Sequence, residues 1–130
     1  SPKDLTRLGK AQVFVYNGMV EPWAEQALEA LSERKIIPVE AGRALFARGA
    51  KQDPHVWVSP KKAIIEVQRI TEALCAADKQ NADAYKEVYN YIAGNKLENG
   101  DTAGAKEYYT KYLELDPTNE ALRKFVEGLK

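Results

Sequence analysis

Apolar residues recur along this chain with two different periods, and the switch between them divides it. Ser1-Pro2 has the form of an N-cap with proline at the first helical position, and Leu5 and Leu8 follow one turn apart, predicting a short helix that ends near Gly9. Ala11 to Gly18 (AQVFVYNG) is an apolar, β-rich run closed by Asn17-Gly18, the pattern of a buried strand. Glu21-Pro22 opens a helix in which Trp23, Ala27, Ala30 and Leu31 share a face, and Ile36, Ile37 and Val39 form a second short strand. Strand, helix, strand at this spacing predicts a βαβ unit with parallel strands. Glu40 to Asp53 has no clear period and contains Gly42 and Gly49, which predicts mainly loop. DPHVWVSP then sets Ser59 as N-cap and Pro60 at the first position of a strong helix with a buried stripe of Ala63, Ile64, Val67, Ile70, Thr71 and Leu74. Asp78 to Asn81 breaks it, and helix resumes at about Ala82.

From there the pattern is purely helical. Tyr85, Val88, Tyr89 and Ile92 are spaced i, i+3, i+4, i+7, and Asn99-Gly100-Asp101 makes a turn with Asp101 placed to cap the next helix. Ala105, Tyr108, Tyr109, Tyr112 and Leu113 give a second apolar face, which Asp116-Pro117 ends. Leu122, Phe125, Val126 and Leu129 then form the stripe of a third helix. Two helices joined by a tight turn predict an αα-hairpin. The fold class expected is therefore α/β followed by all-α: a partial βαβ lobe with a small parallel sheet over 1–85, then a hairpin and capping helix over 86–130, mostly helical throughout.

Composition narrows the function classes. Acids and bases balance at 19 each, and no basic cluster is interleaved with aromatics, so a nucleic-acid role is not expected. No apolar run reaches membrane-spanning length. The lone Cys75 rules out an internal disulfide framework. Ser1 is not an initiator Met, which fits removal of a leader or an upstream segment. Asn17-Gly18 lacks the glycine spacing and Lys of a phosphate loop. One distant His allows no Ser-His-Asp constellation with Ser59, and pairs such as Glu25 with Glu29 read as solvated helix faces. No enzyme activity is expected.

The helical third resembles a tetratricopeptide repeat. On that 34-residue frame, Tyr89 takes the large early position, Ile92 and Ala93 the Leu-Gly pair, Gly100-Asp101 the turn, Ala105 the small contact position, Tyr109 the aromatic and Pro117 the terminal proline. Lys96 and Tyr112 depart from the frame, standing where an aromatic and a small residue are usual. Only one repeat is visible, followed by a capping helix, and such repeats need neighbours to form a groove. The resemblance implies a packing module or a site for a protein or peptide partner, with Tyr91, Tyr108 and Tyr112 as the candidate contact residues wherever their rings are exposed.

Residues 2–87 resemble the N-terminal lobe of the zinc- or manganese-binding component of ABC importers. The matching words are PKDLTRLGKAQVFVYNG, EPWAEQAL, DPHVWVSPKKA and the NADAYKE stretch, in the family's order. The resemblance implies a metal held between two α/β lobes by three His and a carboxylate, with His55 of the DPHVW word as one ligand. It places the first ligand His just upstream of Ser1 and the later ligands on a second lobe, so the site on this chain is expected to be incomplete. It also implies an extracytoplasmic location, periplasmic or at the cell surface. Pro54 and Pro60 stiffen the segment that would present His55, and Asp53 could hold the local turn. Glu21, Glu40, Asp53 and Cys75 could supply further ligands, but none has metal-site spacing from His55. The leading expectation is a non-enzymatic binding or scaffold protein derived from such a component, with zinc or manganese as the candidate ion. The alternatives are an interaction module acting through the hairpin and a recombined or engineered chimera without evolved activity, its two parts sharing one helix near Lys86 to Val88. Two strands alone leave exposed edges, which makes a homo-oligomer a further candidate.

Overall fold

The computed structural model describes residues 1–46, 53 and 55–130, and these form two compact units, 1–77 and 78–130. In the first, helix α1 (Pro2–Leu8) begins with a capping box: Ser1 Oγ accepts from the Asp4 backbone N–H at 3.4 Å, and Asp4 Oδ2 accepts from the Ser1 amino nitrogen at 3.1 Å. Strand β1 (Val13–Tyr16), helix α2 (Pro22–Ala30) and strand β2 (Ile37–Glu40) then make the βαβ unit. The strands pair in parallel, Val13 opposite Ile37 and Tyr16 opposite Glu40.

The loops leaving the two strands pack tightly against each other. Gly18 sits at φ +111°, where a Cβ would lie 2.7 Å from the Glu40 carboxylate, and its N–H donates to Glu21 Oε2 at 2.9 Å. That close approach is why Asn17-Gly18 ends the strand as the sequence predicts. A single helical turn, α3 (Arg43–Phe46), follows β2. After the 3₁₀ turn Val56–Val58, helix α4 (Pro60–Ala77) packs on both strands and on that turn. Arg69 Nε donates to the Glu40 carbonyl at 3.1 Å, tying α4 to the end of β2.

Four sequence expectations in this unit are corrected. The strand read over Ala11–Gly18 is only four residues and half-buried, with Val15 42% exposed, because the sheet has two strands among the described residues. On α2 the inward stripe runs through Ala24, Ala27, Leu28 and Leu31, while Trp23 and Ala30 are exposed. Ala27 and Leu31 of the expected stripe do face inward, while Ala24 takes the buried position expected of the bulky Trp23. On α4 Val67 of the expected stripe is exposed, while Thr71 of the same stripe is buried as expected, its hydroxyl donating to the Val67 carbonyl at 2.8 Å. The segment read as loop contains the end of β2 and α3, and Gly49 lies outside the described residues.

In the second unit a 3₁₀ segment (Lys79–Tyr85), irregular at Asn81, leads into α5 (Lys86–Glu98). Asp78, at φ −122°, ψ 63°, is not helical, so no single helix runs from α4 through the Lys86–Val88 region. Gly100 at φ +78° turns the chain, and Asp101 caps α6 (Thr102–Leu115) by accepting from the Gly104 N–H at 2.9 Å. Lys96–Asp101, Tyr89–Tyr108, Glu87–Tyr112 and Lys86–Asp116 are all in contact. The partner number rises as the α5 number falls, so the helices run antiparallel, as the turn predicts. Ala93 and Ala105 are both 0% exposed, and Ile92, Tyr89, Tyr108, Tyr109 and Tyr112 are buried with them in the interior of this unit. Helix α7 (Glu120–Gly128) is capped by Asn119 and rests Phe125 edge-on against Tyr109, ring centroids 5.7 Å apart. Among the described residues no helix is long and apolar enough to cross a membrane.

Two stability measurements check this packing. Ile92→Ala removes a side chain with no exposed surface and is expected to cost about 2–5 kcal/mol in a denaturant titration. Glu66 on α4 has a buried Oε1 without a hydrogen-bond partner, and burial raises its pKa. The folded chain therefore holds that proton more tightly than the unfolded chain, so the group costs stability above its folded pKa and the cost fades as pH falls through it. Glu66→Gln is expected to raise the neutral-pH melting temperature and to flatten that pH dependence; an unchanged or lower melting temperature would contradict the burial.

Candidate metal centre

His55 stands at the entry to the 3₁₀ turn Val56–Val58, which is held from behind by burial of Val56 at 3% exposure and by its packing on α4. The turn passes directly into α4. Ser59 is extended (φ −87°, ψ 118°), and its carbonyl accepts from the Lys62 and Ala63 N–H groups at 3.0 and 2.9 Å, the N-cap position the sequence assigns to it. The local hold that the sequence assigns to Asp53 is present: its Oδ1 accepts from the His55 backbone N–H at 2.9 Å and lies 3.1 Å from His55 Nδ1. Those contacts, the backbone one first, hold the Asp53 carboxyl below the usual carboxylate range. The Trp57 ring meets the imidazole edge-on with centroids 5.4 Å apart. Both side chains of the His55–Asp53 pair remain about two-thirds exposed, at 66% and 65%. Pro54 lies outside the described residues.

The other candidate ligands are occupied elsewhere or lie apart. Glu21 caps the Gly18 N–H, and the Glu40 carboxylate lies against Gly18 and 3.9 Å from Arg43. Together with Glu25 and Tyr16 they line a crevice of about 230 Å³ at the carboxyl ends of the strands, the place where open α/β sheets bind ligands. Burial, and then the neighbouring Glu40 charge, push the Tyr16 hydroxyl pKa up. Cys75 is half-buried on α4. Among the described residues no group of three or more His, Cys, Asp or Glu side chains comes together as a metal site. What the chain offers is one exposed imidazole on a braced turn with a carboxylate on one ring nitrogen. That donor set fits a single ligand contribution to a divalent ion.

The tyrosine candidates separate by burial. Tyr108 and Tyr112 are 6% and 7% exposed, and both belong to the α5–α6 interior, Tyr108 against Tyr89 and Tyr112 against Glu87. They are thereby removed as surface contact residues, whereas Tyr91 is 71% exposed on α5. The cause is spacing: Tyr108 and Tyr112 are four apart on the face that meets α5, while Tyr91 is one residue off the buried Tyr89–Ile92–Ala93 side. The sequence reading did not single out the exposed apolar groove of about 540 Å³ that includes Leu5, Leu8, Phe14, Trp23, Ala27 and Ala30. Its signal was the Trp23 stripe assigned to the core.

Residues 1–121 match the family model described as zinc-uptake complex component A, periplasmic. The high-affinity zinc uptake system protein ZnuA of Bacillus subtilis is 26% identical over 98% of this chain and 40% of its own length. The zinc-binding lipoprotein AdcA of Streptococcus pneumoniae is 30% identical over 89% of this chain and 29% of its own. The iron-binding protein YfeA of Yersinia pestis is 31% identical over 65% of this chain and 29% of its own. The chain thus spans well under half the length of these relatives. No solved structure matches it significantly.

The burial contrast gives a direct check. Tyr112→Ala is expected to cost about 3 kcal/mol or more, and Tyr91→Ala to change stability by no more than about 0.5 kcal/mol. Equal effects of the two in thermal unfolding would contradict the placement of these rings.

Proposed function

This chain belongs to the family of the periplasmic zinc-uptake component A, and from that premise we propose that it supplies part of one lobe of an importer's metal-ion-binding component. His55 contributes one ligand to the ion, which is cargo, and further ligands complete the shell. The observation that carries this reading is an exposed, braced imidazole at the DPHVW word within a chain matched to the family over residues 1–121. Zinc is the first ion to test and manganese the second. The protein acts by binding rather than by catalysis, and its site of action is extracytoplasmic, in keeping with the family's periplasmic description.

The α5–α6 hairpin supports a second reading, in which a single tetratricopeptide-like repeat with α7 as its cap serves as a packing module or presents Tyr91 to a protein partner. Its support is the antiparallel geometry and the burial of the small residues Ala93 and Ala105 on the two packed helices. The family match passes through residues 86 and 87 to 121, which favours one natural origin for both units over a recombined or engineered join. The two-stranded sheet leaves self-association through strand edges as a further candidate.

Ligand linkage tests the leading reading. A ligand that binds only the folded state adds about 2.7 kcal/mol at a hundredfold excess over its dissociation constant. Zinc is therefore expected to raise the melting temperature of the chelator-cleaned protein by several degrees, and His55→Ala to abolish the rise. An unchanged melting temperature with both zinc and manganese would dismiss metal binding by this chain.

A further inference from the structure

We propose that Asp53 is a positioning residue for the metal: its carboxylate holds His55 in the tautomer with the proton on Nδ1, so that Nε2 presents its lone pair to the ion. The metal-directed part of this inference rests on the reading of His55 as a ligand. The tautomer itself is a property of the metal-free chain.

The argument is a count of protons. An ionised carboxylate has acceptors only, so each hydrogen bond to it must be supplied by the other side. Asp53 Oδ1 receives the His55 backbone N–H at 2.9 Å and lies 3.1 Å from His55 Nδ1, which must therefore carry a hydrogen. A neutral imidazole has one N–H, so Nε2 is left as the unprotonated nitrogen. In water the neutral ring favours the opposite tautomer, with the proton on Nε2, which blocks that nitrogen as a ligand. Asp53 thus removes the need to shift the proton when the ion arrives. A carboxylate on the non-ligating nitrogen also makes the imidazole a stronger donor.

The arrangement is built for orientation rather than stability. Both side chains are about two-thirds exposed, so water competes for the bond and its loss leaves folding little changed. The edge-on Trp57 ring gives the imidazole a second fixed neighbour. Because the step from Asp53 to His55 is only two residues, the backbone bond places the carboxylate before the ring is considered, and little additional ordering is needed.

The chain has a single His, so one imidazole gives the whole signal. Long-range ¹H–¹⁵N NMR of the metal-free protein at about pH 8 is expected to show Nδ1 protonated and Nε2 bare. Asp53→Ala should move the ring toward the Nε2–H form with an unchanged melting temperature, and Asp53→Asn should restore the native tautomer, since its Oδ1 still accepts. A wild-type ring already in the Nε2–H form, or one that ignores Asp53→Ala, overturns the proposal. Zinc titration separates it from the functional reading. Zinc should shift the Nε2 resonance and bind Asp53→Ala on the order of 10–100-fold more weakly. Equal affinity of wild type and Asp53→Ala overturns the positioning role alone. A native tautomer with an Nε2 resonance that zinc never moves overturns both the metal reading and the purpose assigned to Asp53.

Discussion

The parallel pairing of Val13–Tyr16 with Ile37–Glu40 is the constraint from which the first unit follows. Parallel strands cannot be joined by a tight turn, so the chain must cross over, and α2 is that crossover. The pairing also brings the carboxyl ends of both strands to one edge, where Gly18 has to accommodate the Glu40 side chain and Gly42 the Asn17 carbonyl. Helix α4 covers the strands and is fastened to the end of β2 by Arg69. The turn that carries His55 packs on α4, so the imidazole is braced by the element that covers the sheet.

From that frame the chemistry of the candidate centre is a matter of three residues. Val56 anchors the turn by burial, Asp53 Oδ1 accepts from the His55 backbone N–H and lies 3.1 Å from its Nδ1, and Trp57 meets the ring from its edge. None of these contacts needs a large core, and few side chains are buried among the described residues of this unit. The second unit is built on a different principle. There the buried Ala93, Ala105 and Ile92 with Tyr89, Tyr108, Tyr109 and Tyr112 supply the interior, and Lys86 with Asp116 joins the beginning of α5 to the end of α6 at 2.9 Å.

Much of this could be read from residue order. Ser1-Pro2, Ser59-Pro60 and Asp101 mark helix starts by chemistry that acts within one turn, and the structure places each as expected. Asn17-Gly18 and Gly100 mark reversals for the same local reason, a positive φ at glycine. The hold of Asp53 on the His55 turn belongs to this class too, because its reach is two residues. What escaped was the phase of helix faces in a thinly covered lobe. Trp23 and Val67 look like core by type, yet a sheet of two strands offers too little surface to cover them; on α2 Ala24 takes the buried position, whereas on α4 Thr71 is buried as expected. The tyrosines of α6 were ambiguous because period alone cannot say which neighbour a face meets. Full ligation of an ion was not legible for a physical reason as well: coordination draws donors from distant segments, and this chain has one imidazole to offer.

The central claim is that a divalent ion meets this protein through the imidazole of His55. Zinc K-edge X-ray absorption on the loaded protein tests it most directly. The account expects the multiple-scattering pattern of one imidazole with the remaining scatterers nitrogen or oxygen at about 2.0–2.2 Å. A shell containing sulfur at about 2.3 Å, which would point to Cys75, or a spectrum without any imidazole contribution, would contradict it.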